Sequence, residues 1–135
     1  MLKRDLILDE IQKLARVLAR VLGLKEEGKN AEAMFLLEEE LKNNFHRGAA
    51  ELILTPKDEL MKEFAPDGTR AESANALGEL LYYYAELRWD EHDTQKALAA
   101  YERALLLWEH SEKFLKTISF DRAQKRSRIR ERIVS

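Results

Sequence analysis

The sequence predicts an all-α protein built from antiparallel helical hairpins. Three observations carry this. Apolar residues recur at three- and four-residue steps in nearly every segment, which is the helical period. Charged residues reach 36% of the chain while hydrophobic residues still make up 45%. Glycine and proline together number only seven among 135 residues. That composition suits helices with one apolar face and one heavily charged face. A chain of this length is the size of one ordinary domain and buries enough surface to need no staples.

The first helix is predicted from about Lys3 to Glu27, with Ile7, Ile11, Leu14, Leu18, Val21 and Leu22 on one face. Gly28 ends it, and Lys25 in the last turn suits the negative end of the helix dipole. The short loop Gly28-Lys29-Asn30 makes the next helix an antiparallel neighbour. That second helix starts near Ala31 and buries Ala33, Leu37, Leu41 and Phe45, ending near Gly48, although Ala49 to Leu54 offers a continuation. Thr55-Pro56-Lys57-Asp58-Glu59 reads as a helix start, with Thr55 as cap, Pro56 at the first position and two carboxylates in the first turn. This third helix is short and ends by Phe64, because Pro66-Asp67-Gly68 is a turn.

The fourth helix, from about Arg70 to Glu91, carries two apolar stripes. Ala74, Leu77, Leu81, Tyr84 and Ala85 form one, and Ala76, Leu80, Tyr83 and Leu87 the other. Two stripes place it at the centre of the fold. Asp93 or Thr94 caps a fifth helix that buries Ala97, Tyr101, Ala104 or Leu105, and Trp108, and extends to about Lys116. Thr117 or Ser119 caps a sixth, running through Ile133. The expected count is thus about six helices, in a body at 1–116 followed by a basic C-terminal helix or tail at 117–135.

Charge divides the chain the same way. The net charge is −2, but residues 119–135 hold six basic groups (Arg122, Lys125, Arg126, Arg128, Arg130 and Arg132) against two acidic ones. The rest of the chain holds 17 basic and 23 acidic groups. An acidic body carries a basic tail.

Ala76-Leu77-Gly78-Glu79-Leu80-Leu81-Tyr82-Tyr83 resembles the first helix of a tetratricopeptide (TPR) hairpin. Lys96-Ala97-Leu98-Ala99-Ala100-Tyr101-Glu102-Arg103-Ala104-Leu105 resembles the second. Gly78, Ala97 and Ala104 are small where helices approach closely, and Tyr101 fills the space between them. Gly28 and Ala33-Met34-Phe35-Leu36-Leu37 give a fainter version. The span from Gly78 to Ala97 is about two turns longer than in a standard repeat of about 34 residues, so the expectation is a compact TPR-like bundle and not a regular array. Residues 1–116 also resemble a family of small uncharacterised bacterial proteins, through Arg4-Asp5-x-Ile7, Leu14-Ala15, Leu18-Ala19 and Leu22-Gly23-Leu24. That resemblance implies a fold and no activity.

The residues point away from enzymatic chemistry. There is no cysteine, so no disulfide or thiolate metal site is expected. His46, His92 and His110 lie in no H-E-x-x-H run, and the expected role is solvent-facing or dipole-compensating, with no metal and no cofactor. Glu38-Glu39-Glu40 reads as a solvated face. Five isolated glycines build no phosphate cradle. Tyr82-Tyr83-Tyr84, with Trp89 and Trp108, suggests an aromatic cage, but three consecutive helical residues point in three directions.

Tyr82 belongs to neither apolar stripe. It aligns with Asn75, Glu79 and Glu86 at steps of four, three and four. In TPR-like folds the first helix of a hairpin lines the concave, peptide-binding side, so the resemblance makes this stripe the candidate protein-binding site. The plain alternative is a solvated face. Lys13, Arg16 and Arg20 form a comparable basic stripe on the first helix.

The basic tail offers three readings: a phosphate-binding segment for nucleic acid, a helix docked on the acidic body, or a frayed end. No aromatics interleave with its arginines for base stacking. The N-terminus lacks the pattern of a signal peptide, and no segment is apolar enough for a membrane span. The expected protein is cytoplasmic and binds a protein or peptide, without a membrane. Nucleic-acid association through the tail is the alternative, and self-association stays open.

Overall fold

Residues 3–64, 68, 70–115 and 120–134 of the computed structural model are described. Among them there are seven α-helices and no strand. The helices are α1 (Lys3–Glu26), α2 (Asn30–Phe45), α3 (Ala49–Leu54), α4 (Lys57–Lys62), α5 (Ala71–Asp90), α6 (Thr94–Glu112) and α7 (Phe120–Ile133). The most extensive pairing is the antiparallel α5–α6 hairpin, followed by α1–α2. α5 also packs against both α1 and α2, which makes it the central helix of the fold, while α3, α4 and α7 lie against α6.

Backbone chemistry at the helix ends sets this order. At the end of α1, Gly28 takes φ 76°. Its N–H donates to Lys25 O at 3.0 Å, and the Lys29 N–H donates to Leu24 O at 2.8 Å. These are the paired bonds of a Schellman stop, which needs a left-handed residue. The same motif ends α5 with a histidine in glycine's place. His92 has φ 64°, its N–H donates to Trp89 O at 3.0 Å, and the Asp93 N–H donates to Arg88 O at 2.9 Å. Asp93 then caps α6, its carboxylate accepting from the Lys96 N–H at 3.3 Å.

The seventh helix is the difference from expectation. Ala49–Leu54 does not continue α2, because His46 turns left-handed (φ 60°) and Gly48 is extended. The carboxylate of Glu38 accepts from the Ala49 N–H at 3.1 Å and so caps α3 from a neighbouring helix. Thr55 does not cap the helix that follows. It ends α3 in extended geometry, as a residue before proline favours, and its hydroxyl donates to Glu51 O at 2.8 Å. Asp58 and Glu59 do sit in the first turn of α4. The expected turn at Pro66-Asp67 and the expected caps at Thr117 and Ser119 lie outside the described residues.

The core follows one predicted stripe of α5 in full and the other in part, with Ala76 and Tyr83 half-buried, and the predicted Leu22 of α1 is exposed. Ala74, Leu77, Leu81, Tyr84 and Ala85 of α5 are buried, with Leu80 and Leu87 beside them. They join Ala97, Tyr101, Ala104 and Trp108 of α6, Ala33, Leu37 and Leu41 of α2, and Val21 of α1. Gly78 is required by contact. A Cβ there would lie 2.7 Å from two atoms of the Trp108 indole. None of the described helices is long and apolar enough to cross a membrane.

Candidate protein-binding face of α5 and α6

Helical spacing puts Asn75, Glu79, Tyr82 and Glu86 on one line along α5. α6, antiparallel to it, sets Tyr101, Trp108 and Glu112 beside that line. The face so formed is a row of acceptors with aromatic surfaces between them. It is neither open nor solvated. α7 lies along it, and the predicted stripe meets the predicted basic tail residue by residue.

At one end Arg122 donates to Asn75 Oδ1 at 2.7 Å, to Glu79 Oε1 at 2.6 Å and to Glu112 Oε1 at 3.1 Å. Its guanidinium lies over the Trp108 ring, 4.2 Å from the centroid. Gly78 is what lets the indole sit that close to α5. Lys125 donates to the other Glu79 oxygen at 2.7 Å and stands over the Tyr82 and Tyr83 rings. Arg126 donates to Glu112 Oε2 at 2.7 Å. At the other end Arg128 donates to Glu86 Oε1 at 2.9 Å, and Arg132 donates to Glu86 Oε2 and to the Tyr101 hydroxyl. Arg132 also stacks over Trp89. Of the six predicted basic residues only Arg130 is exposed with no such contact to the body.

Glu86 is the most enclosed charge in this set, with 2% of its surface exposed. Besides the two arginines, the hydroxyls of Tyr82 and Tyr101 each donate to it at 2.7 Å. A carboxylate offers about four lone-pair sites, and all are used. Tyr82 is buried as well, at 3% exposure, so the expectation of a surface phenol is corrected. Covered by α7 and bonded to Glu86, it is part of the floor.

Burial shifts the titration of these groups. Burial works against the charge on Lys125, but the Glu79 carboxylate outweighs it and holds the ammonium above its ordinary pKa. Burial raises the Tyr82 and Tyr83 phenols, partly offset by Arg128 at the first and Lys125 at the second. Tyr101 is raised further, again by burial first.

No protein-family model, curated protein or solved structure matches the chain. The site therefore speaks through its own chemistry.

Sequence reasoning located both partners of the contact but missed its α6 half. Spacing shows Tyr101 and Trp108 only as buried residues of α6, and Glu112 carries no local signal, since one helix cannot show which of its charges faces a third helix. Ile129, fully buried, belongs to the contact as well. Its signal is positional: it sits four residues after Lys125 and three before Arg132, on the body-facing side. The histidines fall elsewhere. His46 and His92 occupy left-handed helix ends and are exposed. His110 is half-buried, with its ring near those of Phe64 and Phe114, and lies in the last turn of α6, the dipole-compensating position of the two expected. Lys13, Arg16 and Arg20 are all exposed along α1.

Proposed function

We propose that this chain is a non-enzymatic, TPR-like protein-interaction module of the cytoplasm, whose working surface is the acidic and aromatic face of α5 and α6. The observation that carries the reading is the seating of α7. Five cations of a basic helix find carboxylates at Glu79, Glu86 and Glu112, with aromatic rings between them. A face that accepts one basic helix has the chemistry to accept basic helices generally: fixed acceptors, cation–π surfaces and a socket for one aliphatic side chain.

The nucleic-acid reading has less support. Phosphates would have to take Arg122, Lys125, Arg126, Arg128 and Arg132 away from buried or half-buried carboxylates, leaving only Arg130 to reach them directly. It is tested in parallel. The parent chain is expected to retain no duplex DNA or single-stranded RNA at physiological salt.

The main test is affinity capture by the full chain, followed by binding of the captured protein to a Glu79→Lys/Glu112→Lys chain. Lost binding with an unchanged helical circular dichroism spectrum is the expected result. Undiminished binding would remove this face as the working surface.

A further inference from the structure

Among its described side chains, α7 meets the body mainly through charge. Of its described apolar side chains only Ile129 is fully buried, while Ile133 is 43% and Val134 84% exposed. Its backbone makes few close approaches to α5, so long lysine and arginine side chains span the gap. Four of the ions are shielded, with side-chain exposure of 12% for Arg122, 10% for Lys125, 12% for Glu79 and 3% for Glu86, while Arg128 is 54% exposed. An interface of this kind fixes register and orientation strongly, yet supplies little of the apolar burial that makes an association permanent. If α7 lifted away, Glu79, Glu86 and Glu112 would be left in place, still bracketed by the rings of Tyr82, Trp108 and Tyr101. The vacated face would match one pattern on one side of a helix: Arg122, Lys125, Arg126, Ile129 and Arg132.

Resting on the interaction reading above, we propose that this face takes a basic helix of another protein bearing the same register, and that α7 is the internal ligand that partner displaces. The partner's helix carries a cation, further cations three and four residues on, an aliphatic residue at the position of Ile129 and a cation three beyond it. Because α7 is tethered, it competes at an effective concentration in the millimolar range. A partner's apparent affinity is lowered by the fraction of chains in which α7 is docked.

The probe is a fluorescein-labelled peptide of residues 120–134, standing for such a helix. It is titrated against the full-length parent and a full-length Ile129→Asp chain in which α7 is loosened. Binding to the loosened chain is expected to be about tenfold tighter or more than to the parent, and Glu79→Lys abolishes both. If the loosened chain stays folded and does not bind, the interaction reading falls and this inference with it. Equal affinity for both chains overturns the internal ligand while leaving the interaction reading standing. A dimer of the parent that exchanges α7 between copies, seen by sedimentation, would put a second copy in the groove and overturn the separate partner. Native-state hydrogen exchange on the parent decides the matter without any substitution. The α7 amides are expected to exchange about tenfold or more faster than those of α5, and faster still with added salt. Exchange of α7 only through global unfolding would make it a permanent cap and sink the proposal.

Discussion

α5 is covered by two chemically opposite surfaces. One is aliphatic and aromatic: Ala74, Leu77, Leu81, Tyr84 and Ala85 fit against the neighbouring helices in a dry core. The other is ionic: Asn75, Glu79 and Glu86 meet Arg122, Lys125, Arg128 and Arg132 of α7. Apolar burial is strong and non-directional. Ion pairs gain little net stability once desolvation is counted, but they punish a wrong partner or a wrong register. The difference teaches that one helix can serve as the structural centre on one face and a selective surface on the other. α7 is attached mainly by the surface type, with Ile129 its one described side chain in the core.

The contrast can be broken or sharpened experimentally. The largest effect is expected on the apolar side. Leu81→Ala should cost about 2–5 kcal/mol in denaturant unfolding, as large-to-small changes in packed cores do. A loss near zero would mean that the core is not packed as described. Gly78→Ala touches both surfaces at once. The added methyl meets the Trp108 indole, and that ring supports Arg122. A loss of about 1–3 kcal/mol is expected from overpacking, accompanied by faster hydrogen exchange in α7. Loss of stability with unchanged α7 exchange would separate the two surfaces.

Alkaline pH should act on the ionic side. In the unfolded chain the phenols release their protons around the ordinary value of 10.0, and lysine around 10.5. In the folded chain Tyr82, Tyr83, Tyr101 and Lys125 all hold theirs to higher pH. Above those ordinary values the folded state binds more protons than the unfolded one, so stability is whole below them and is lost as pH rises. Urea midpoints are expected to hold up to about pH 9 and to fall from there to about pH 12. A midpoint that rises over that range would contradict the buried setting of these four groups. The smallest effect belongs to neither surface. His92 holds a left-handed conformation that a side chain disfavours, so His92→Gly should gain about 1 kcal/mol in thermal or denaturant unfolding. A loss would show that the imidazole is anchored there.

Much of this was legible in the sequence, and the omissions have physical causes. α5 and α6 are long and strongly periodic, so their buried stripes could be read from spacing alone. The line of Asn75, Glu79, Tyr82 and Glu86 was visible because its residues fit neither apolar stripe. Exposure was misjudged at Tyr82 because a helix's sequence does not show what will cover it. The acidic body and basic tail were evident as charge, but their pairing depends on α6 placing Glu112 and Trp108 beside α5. α3 was hidden because Ala49–Leu54 has the composition of a continuing helix. Its break rests on His46 taking a left-handed conformation usually left to glycine, and on Glu38 capping from eleven residues away.

The central claim is that Glu79 holds α7 in register through Arg122. A double-mutant cycle tests it most directly: Glu79→Lys, Arg122→Glu and the two together, each measured by denaturant unfolding with tryptophan fluorescence. Each single reversal is expected to destabilise, and the double variant to recover part of the loss, with a coupling of about 0.5–3 kcal/mol. Additive losses with no coupling would contradict the claim, because α7 would then owe nothing to the ion pair that defines the site.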